Sequence, residues 1–146
     1  MNGTGTATIV VGVDGSDHAE HALAWAVEEA KLRQARIRLV TAWHVPVSAY
    51  GAPGFLPTVT PSLEESTRSV AEEVAAAAEE RVRSAGVEAE TSVCHGQAAD
   101  TLLEEAAAAD LLVVGSRGHG GFAGLLLGSV SAQCAHHAPC PLVIVR

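Results

Sequence analysis

The chain contains, between residues 111 and 129, the stretch Leu111-Leu-Val-Val-Gly115-Ser-Arg-Gly118-His-Gly-Gly-Phe-Ala-Gly-Leu-Leu-Leu-Gly128-Ser129. Its first four residues are uniformly apolar, which predicts a buried strand, and residues 129–138 predict a short helix. The glycines between them let the backbone approach a ligand closely or adopt positive φ. The first turn of a helix offers unpaired N–H groups and the positive end of its dipole. This stretch therefore predicts a site for a phosphate-bearing ligand, a nucleotide above all.

The length and composition indicate one domain. The chain has 146 residues, 48% of them apolar, which is enough for a single substantial core. It holds only two Trp, two Phe and one Tyr, so Ala, Val and Leu must form most of that core. It has no apolar run of roughly 18 residues, so we expect no transmembrane helix and no membrane partner. A net charge of −8 argues against nucleic-acid binding, which requires a basic face.

The cysteines and the first residues indicate the compartment. The chain begins without a basic segment followed by an apolar one, so we expect no signal peptide. Cys94, Cys134 and Cys140 have no CxxC spacing, which fits a reducing cytoplasm better than a disulfide framework. His136 and His137 stand between the last two cysteines, but histidines at the end of a helix suit its dipole, so we expect no metal there.

Apolar runs and periodic patterns alternate along the chain. They predict strands over residues 7–13, 37–43, 87–93, 111–114 and 142–145, and helices after Ser16 and over 62–84, 98–109 and 129–138. Ser16 is the expected cap of the first helix. The apolar residues of that helix fall on one face: Ala19, Ala22, Leu23, Ala26, Val27 and Ala30. The alternation predicts an α/β fold, with a parallel sheet and helices on both of its faces.

The second helix and the segment before it have clear local signals. Ser62-Leu-Glu-Glu65 predicts a capping box at the helix start, and Gly86 predicts a cap after an end near Ser84. The segment from about His44 to Pro61 holds four of the six prolines. Its length and composition predict either a flexible functional loop over about 44–61 or a tolerated surface insertion.

Two common nucleotide motifs do not fit the glycine-rich stretch. A Walker A loop needs a lysine beside its last glycine, and the single lysine of the chain, Lys31, is far away. Residues 118–123 match a GxGxxA dinucleotide pattern, but they follow the fourth strand, and no second mononucleotide-binding half comes after them.

The spacing Gly115-x2-Gly118-x9-Gly128-Ser129 resembles the nucleotide-binding motif of the universal stress protein family, in its ATP-binding branch. The resemblance covers nearly the whole chain. Residues 10–16 are similar to the first strand and turn of that family, Gly96-Gln-Ala98 to the turn after its third strand, and residues 139–145 to its last strand. It implies that residues 1–146 form one doubly wound domain, with a five-stranded parallel sheet in the order 3-2-1-4-5, and that the protein is dimeric.

The implied strand order locates the ligand. Connections reverse direction between strands 1 and 4, and ligands bind outside the carboxyl ends of the strands at such a point. Asp14 ends strand 1 and Gly115 ends strand 4, so we expect both to flank one crevice. Asp14 is the expected acceptor for ribose hydroxyls or adenine. Its alternative role is turn chemistry within Val-Asp-Gly.

The resemblance also divides the cofactor-binding residues by the part of the ligand they contact. It assigns backbone contacts with adenine to Val13 and Ala42, the ribose and phosphates to Val114, Gly115 and Gly118, and the phosphates to Gly128, Ser129, Val130 and Ser131. Ser129 and Ser131 are expected to add hydroxyls, and plain helix capping is the alternative role of Ser129. For Arg117 and His119, the cationic candidates in the loop, phosphate contact and solvent exposure both remain open.

Together with these features, the resemblance implies a cytoplasmic, ATP-binding stress-response regulator with Mg2+ or Mn2+ bound through the phosphates. ADP, AMP and cyclic nucleotides remain open as ligands. A slow ATPase or self-phosphorylating enzyme is the alternative, but it requires a base and a metal-binding carboxylate near the γ-phosphate, and Asp14 is expected at the nucleoside end. A flavodoxin-like electron carrier is a third possibility, although the loop offers only Phe122 for stacking on a flavin.

The last strand predicts a homodimer. In the order 3-2-1-4-5, strands 3 and 5 are the edges of the sheet. Strand 3 carries Glu88 and Glu90, whereas strand 5, Leu142-Val-Ile-Val145, has no charge. An apolar edge of this kind invites pairing with another chain, and two copies can pair antiparallel about a two-fold axis.

Overall fold

The chain alternates five strands with four helices in a computed structural model that describes residues 5–45, 61–119 and 127–146. The strands are β1 Thr8–Gly12, β2 Arg36–Trp43, β3 Ala89–His95, β4 Leu111–Gly115 and β5 Leu142–Val145. The helices are α1 Asp17–Arg33, α2 Pro61–Ser84, α3 Ala98–Ala106 and α4 Ser129–His137. All neighbouring strands are parallel, in the order β3-β2-β1-β4-β5. The predicted doubly wound fold and its strand order are confirmed.

The sheet separates two apolar cores because successive strand residues point to opposite faces. On β1, Ile9 and Val11 belong to the core beneath α1 and α2, whereas Val10 belongs to the core beneath α3 and α4. Leu111 and Leu112 divide in the same way on β4. Strands β1 and β4 are thus buried on both faces, which is the reason for their unbroken apolar sequences.

Helix α1 follows the sequence prediction closely. The hydroxyl of Ser16 accepts a hydrogen bond from the N–H of Ala19 at 3.3 Å, so Ser16 caps the helix as expected. The buried residues are the six predicted from helical periodicity. The helix ends at Arg33, and its C-cap, Gln34, has a φ of 55° in the left-handed region.

Helix α2 begins one residue earlier than the predicted capping box. Pro61 is its first residue, so Ser62 lies in the first turn, and a proline suits that position because its missing N–H would have no helical partner. The predicted cap at Gly86 is confirmed by its φ of 84°. The N–H of Val87 donates to Val82 at 3.2 Å, which closes a Schellman motif. Of the predicted loop over 44–61, residues 46–60 lie outside the described residues.

Helix α3 ends at Ala106, three residues before the predicted end. The reason is tertiary pairing at Asp110, whose N–H donates to the carbonyl of Thr8 and whose carboxylate accepts from the N–H of Thr8, at 2.9 and 2.8 Å. The chain must leave the helix in time to start β4 beside β1.

Within the described residues, no helix has the length and apolar character needed to cross a membrane.

Candidate functional site

The carboxyl ends of β1 and β4 border a cavity of about 280 Å3. These strands are neighbours in the sheet, but the connection after β1 leads to one side of them and the connection after β4 leads to the other. The cavity thus lies at the topological switch point, where open α/β sheets bind ligands. Asp14 and Gly115 flank this one crevice, as the strand order predicted.

All eleven predicted site residues line the cavity. They are Val13, Asp14, Ala42, Val114, Gly115, Arg117, Gly118, Gly128, Ser129, Val130 and Ser131. His119, for which two roles were open, lines it as well. The structure therefore brings together segments from β1, β2, β4 and the start of α4. What these residues bind stays a prediction.

Sequence reasoning missed five other lining residues, namely Gly12, Ala19, Val40, Ala98 and Leu102. Strand periodicity could have found Val40, because it lies two residues before Ala42 and shares its face. Helical periodicity could have linked Ala98 with Leu102 in the same way. The lining residues on β2 and α3 are all apolar: Val40, Ala42, Ala98 and Leu102. They form an apolar wall suited to the flat face of a nucleobase.

Asp14 lies after β1 at the edge of the cavity, and hydrogen bonds within its own turn hold its side chain. Its Oδ1 accepts hydrogen bonds from the N–H of Ser16 at 2.8 Å and from the hydroxyl of Ser16 at 2.5 Å. This is the local turn chemistry considered as the alternative role. Its Oδ2 faces Gly118, where an added Cβ would lie only 2.7 Å away. One oxygen therefore serves the turn, and the other remains at the cavity.

Two of the three motif glycines are required by close approach. A Cβ on Gly115 would lie 2.7 Å from the backbone carbonyl carbon of His18, so a larger residue would push the start of α1 away from β4. A Cβ on Gly118 would meet the carboxylate of Asp14. On Gly128 it would make ordinary contact, 3.4 Å from Cα of Arg117. The alternative explanation from positive φ is wrong for Gly118 and Gly128, because within the described residues only Gly15, Gly86 and Gly96 among the glycines have positive φ.

The start of α4 lacks a side-chain cap. Its N-cap is Gly128, with φ −76° and ψ 173°, and Ser129 is the first helical residue. The alternative role of Ser129 as the cap is therefore wrong. The carbonyl of Gly128 accepts the first helical hydrogen bond, from the N–H of Ala132 at 3.0 Å. The first turn of the helix therefore has no side-chain cap for its N–H groups, and its residues Ser129 to Ser131 line the cavity.

The buried serines Ser116 and Ser131 fix this helix start. The carbonyl of Ser116 accepts hydrogen bonds from the N–H of Gly128 at 2.7 Å and from the hydroxyl of Ser131 at 2.8 Å. The N–H of Ser116 donates to Val145 at 2.7 Å. The proton of the Ser131 hydroxyl is thus used within the loop. In this arrangement the hydroxyl does not donate into the cavity, and the expectation that Ser131 supplies it to the phosphates stays a prediction.

The cationic candidates differ in their surroundings. Arg117 is half-buried at the cavity, whereas His119 is exposed. The ring Nε2 of His119 lies 2.7 Å from the carbonyl oxygen of Asp14. His119 therefore contacts the loop after β1, on the other side of the crevice. The sequence left only phosphate contact and solvent exposure open, so this contact is a third role.

The cysteine and histidine cluster at the end of α4 is not arranged as a metal site. No group of three His, Cys, Asp or Glu residues that could hold a metal ion occurs in the described ranges. Cys134 is fully buried in the core beneath α3 and α4, and burial raises the pKa of its thiol. Burial and the charge of Asp110 likewise raise the pKa of Cys140. Both shifts disfavour the thiolate, the form of cysteine that ligates metals.

Comparisons of this chain with known sequences agree on one protein family. The sequence profile of the universal stress protein family matches residues 6–146. The universal stress protein in QAH/OAS sulfhydrylase 3′region of Thermus aquaticus is 38% identical over 143 residues, which are 95% of this chain and 98% of that protein. Universal stress protein Rv2623 of Mycobacterium tuberculosis is 38% identical over 141 residues, 96% of this chain and 45% of its own length. The chain thus spans less than half of this mycobacterial relative.

Solved structures share the fold. A universal stress protein in complex with cAMP matches with a TM-score of 0.70 and 32% identity, over 96% of this chain and 97% of that one. The universal stress protein of Archaeoglobus fulgidus in complex with dAMP matches with a TM-score of 0.69 and 26% identity, over 96% and 98% of the two chains.

Proposed function

The chain belongs to the universal stress protein family, and from that membership we propose that it is a cytoplasmic, ATP-binding regulator of the stress response. The observation that carries the proposal is the meeting of all eleven predicted residues at one cavity, at the switch point of the sheet. The cAMP and dAMP held by the two structural relatives support an adenine nucleotide as the ligand class.

The proposed nucleotide lies with its base against the apolar wall and its phosphates at α4. Val13 and Ala42 offer backbone groups to the adenine, and Oδ2 of Asp14 offers an acceptor to the ribose hydroxyls. The phosphates bind the N–H groups of the uncapped first turn, from Ser129 to Ser131. This attraction is local, and it works against the net charge of −8 of the whole chain.

Mg2+ or Mn2+ would be held mainly by the phosphates of ATP. The lining includes one carboxylate, that of Asp14, at the proposed nucleoside end. When bound, the ion neutralises part of the phosphate charge, which helps a chain with a single lysine hold a polyphosphate.

We propose binding rather than rapid turnover. Hydrolysis requires a base within reach of a water at the γ-phosphate. Of the lining residues, Asp14 has Oδ1 bonded to Ser16, and His119 has Nε2 bonded to Asp14. One acceptor atom of each candidate base is thus engaged at the end of β1, and we place Oδ2 of Asp14, the carboxylate oxygen that faces the cavity, at the ribose rather than at the γ-phosphate.

The proposal is tested by extracting the ligand from natively purified protein and by calorimetric titration with ATP, ADP, AMP and cAMP. We expect binding of adenine nucleotides and a large loss in Gly118→Ala, because the new Cβ collides with the carboxylate of Asp14. Gly5→Ala is the matched control, since nothing lies within 4 Å of its added Cβ. Full affinity in a folded Gly118→Ala variant would show that the site is elsewhere.

A further inference from the structure

A hydrogen bond between described residues joins the two loops that flank the cavity. It runs from Nε2 of His119, after β4, to the carbonyl oxygen of Asp14, after β1, at 2.7 Å and across 105 residues of sequence. A carbonyl oxygen only accepts hydrogen bonds, so Nε2 must carry the hydrogen. In the neutral ring Nδ1 is then an acceptor, and it cannot donate to a phosphate oxygen.

This bond completes the fixation of Asp14. The carboxylate is held through Oδ1 by Ser16, and the main chain is held through its carbonyl by His119. Gly15 follows with φ +83°, in the region that favours glycine, and lies beside the ring, since a Cβ there would be in ordinary contact with Nε2 at 3.8 Å. With both groups held, Oδ2 has one direction left, toward Gly118 and the cavity.

We propose that His119 is a positioning residue for nucleoside recognition: by holding the carbonyl of Asp14, it aims Oδ2 at the ribose hydroxyls. The inference rests on the proposed nucleotide binding and adds to it a role for a side chain in the phosphate loop. His119 acts on the nucleoside half of the ligand, although the motif places it beside the phosphates. Its contribution is therefore the same for ligands with and without phosphates.

The test uses His119→Ala and His119→Gln in the full chain, with adenosine, AMP and ATP competing against a fluorescent adenine nucleotide. We expect His119→Ala to weaken all three ligands by about fivefold, the effect of one lost hydrogen bond. His119→Gln should recover most of the affinity, because its amide can place an N–H near the position of Nε2. His21→Ala is the control, a histidine on α1 that does not line the cavity.

A double-mutant cycle with Asp14→Ala tests the route of the effect. If His119 acts through Asp14, its replacement costs little further affinity once the carboxylate is gone. Additive losses would overturn the proposal, as would an unchanged His119→Ala or a loss confined to AMP and ATP, which would mark a direct phosphate contact. A wild-type protein that binds none of the three ligands would contradict the proposed function itself, and the inference would fall with it.

Discussion

At the scale of single residues, Asp14 divides two tasks between its carboxylate oxygens. Oδ1 closes the turn that leads into α1, and Oδ2 faces the cavity. The two roles that the sequence left as alternatives are therefore compatible, because they use different atoms. Only a structure could show this, since turn chemistry and ligand contact both favour aspartate at this position.

Replacing Asp14 separates the two tasks. Asp14→Ala removes both, and we expect nucleotide binding to weaken by about 1–3 kcal/mol, the range for a lost charged partner. Asp14→Asn keeps a side-chain oxygen for the N–H of Ser16 and should keep the turn, while losing the charge at the ribose. Calorimetric titration measures the affinity, and thermal unfolding without ligand reports on the turn. Equal affinity of Asp14→Ala and wild type would restrict Asp14 to the turn.

The cap of α4 shows where residue-level sequence reasoning fails. Ser129 is a good capping residue by type, yet Gly128 holds the position because its N–H is bonded to the carbonyl of Ser116. That bond depends on how the loop after β4 returns to the sheet, and no local pattern encodes it. The glycine spacing still located residues that line the cavity, since it marks backbone approach rather than the cap.

At the scale of elements, periodicity predicted helices better than it predicted their ends. The buried face of α1 matches in all six residues, because one apolar stripe is set by the helical repeat alone. The end of α3 was predicted too late, because Ala107 to Ala109 are good helix formers that tertiary pairing at Asp110 overrides. Strand ends and glycines in the sequence predicted the lining residues that belong to β1, β4 and the start of α4. The apolar lining residues on α3 belong to no motif, so the sequence did not reveal them.

The packing of α1 against β4 depends on Gly115. Its Cβ position lies 2.7 Å from the carbonyl carbon and 2.8 Å from the carbonyl oxygen of His18, and backbone atoms cannot turn aside. We expect Gly115→Ala to destabilise the fold by about 1–3 kcal/mol, the usual cost of overpacking. Gly128→Ala is the matched control, since its nearest atom is 3.4 Å away and its φ is negative. Urea denaturation compares the two, and equal midpoints would contradict this packing argument.

At the scale of the whole molecule, strand order brings distant residues to one place. Asp14 and His119 meet because β1 and β4 are neighbours in the sheet, although two strands and three helices separate them in sequence. The sequence alone predicts alternating elements and a parallel sheet, but the order of strands followed from family resemblance. The reason is that register and neighbour choice depend on side-chain packing across the sheet, which no single strand pattern specifies.

The same strand order leaves β5 as a sheet edge, and we propose a homodimer through it. All four residues of β5 are only half-buried, although they are apolar. Val143 and Val145 pack partly on the core beneath α1 and α2, whereas Leu142 and Ile144 pack on the opposite core. Covering this edge with a second copy would complete the burial of both faces and pair the outer backbone groups.

The edge is tested by light scattering at micromolar concentration and by Ile144→Pro. Charged substitutions at Val143 and Val145 would also disturb the core, so they would not separate the effect on dimer formation from an effect on folding.

The carbonyls of Pro141 and Val145 face β4. Because backbone groups alternate in direction along a strand, the N–H of Ile144 points outward from the sheet edge. Proline removes that one donor, is tolerated at a sheet edge and, unlike a charge, keeps an apolar ring against the core beneath α3 and α4 on which Ile144 packs, so we expect a folded monomer. We expect wild type at about twice 14.9 kDa. A wild-type mass equal to one chain would refute the dimer, because an unpaired apolar edge would then be stable in solution.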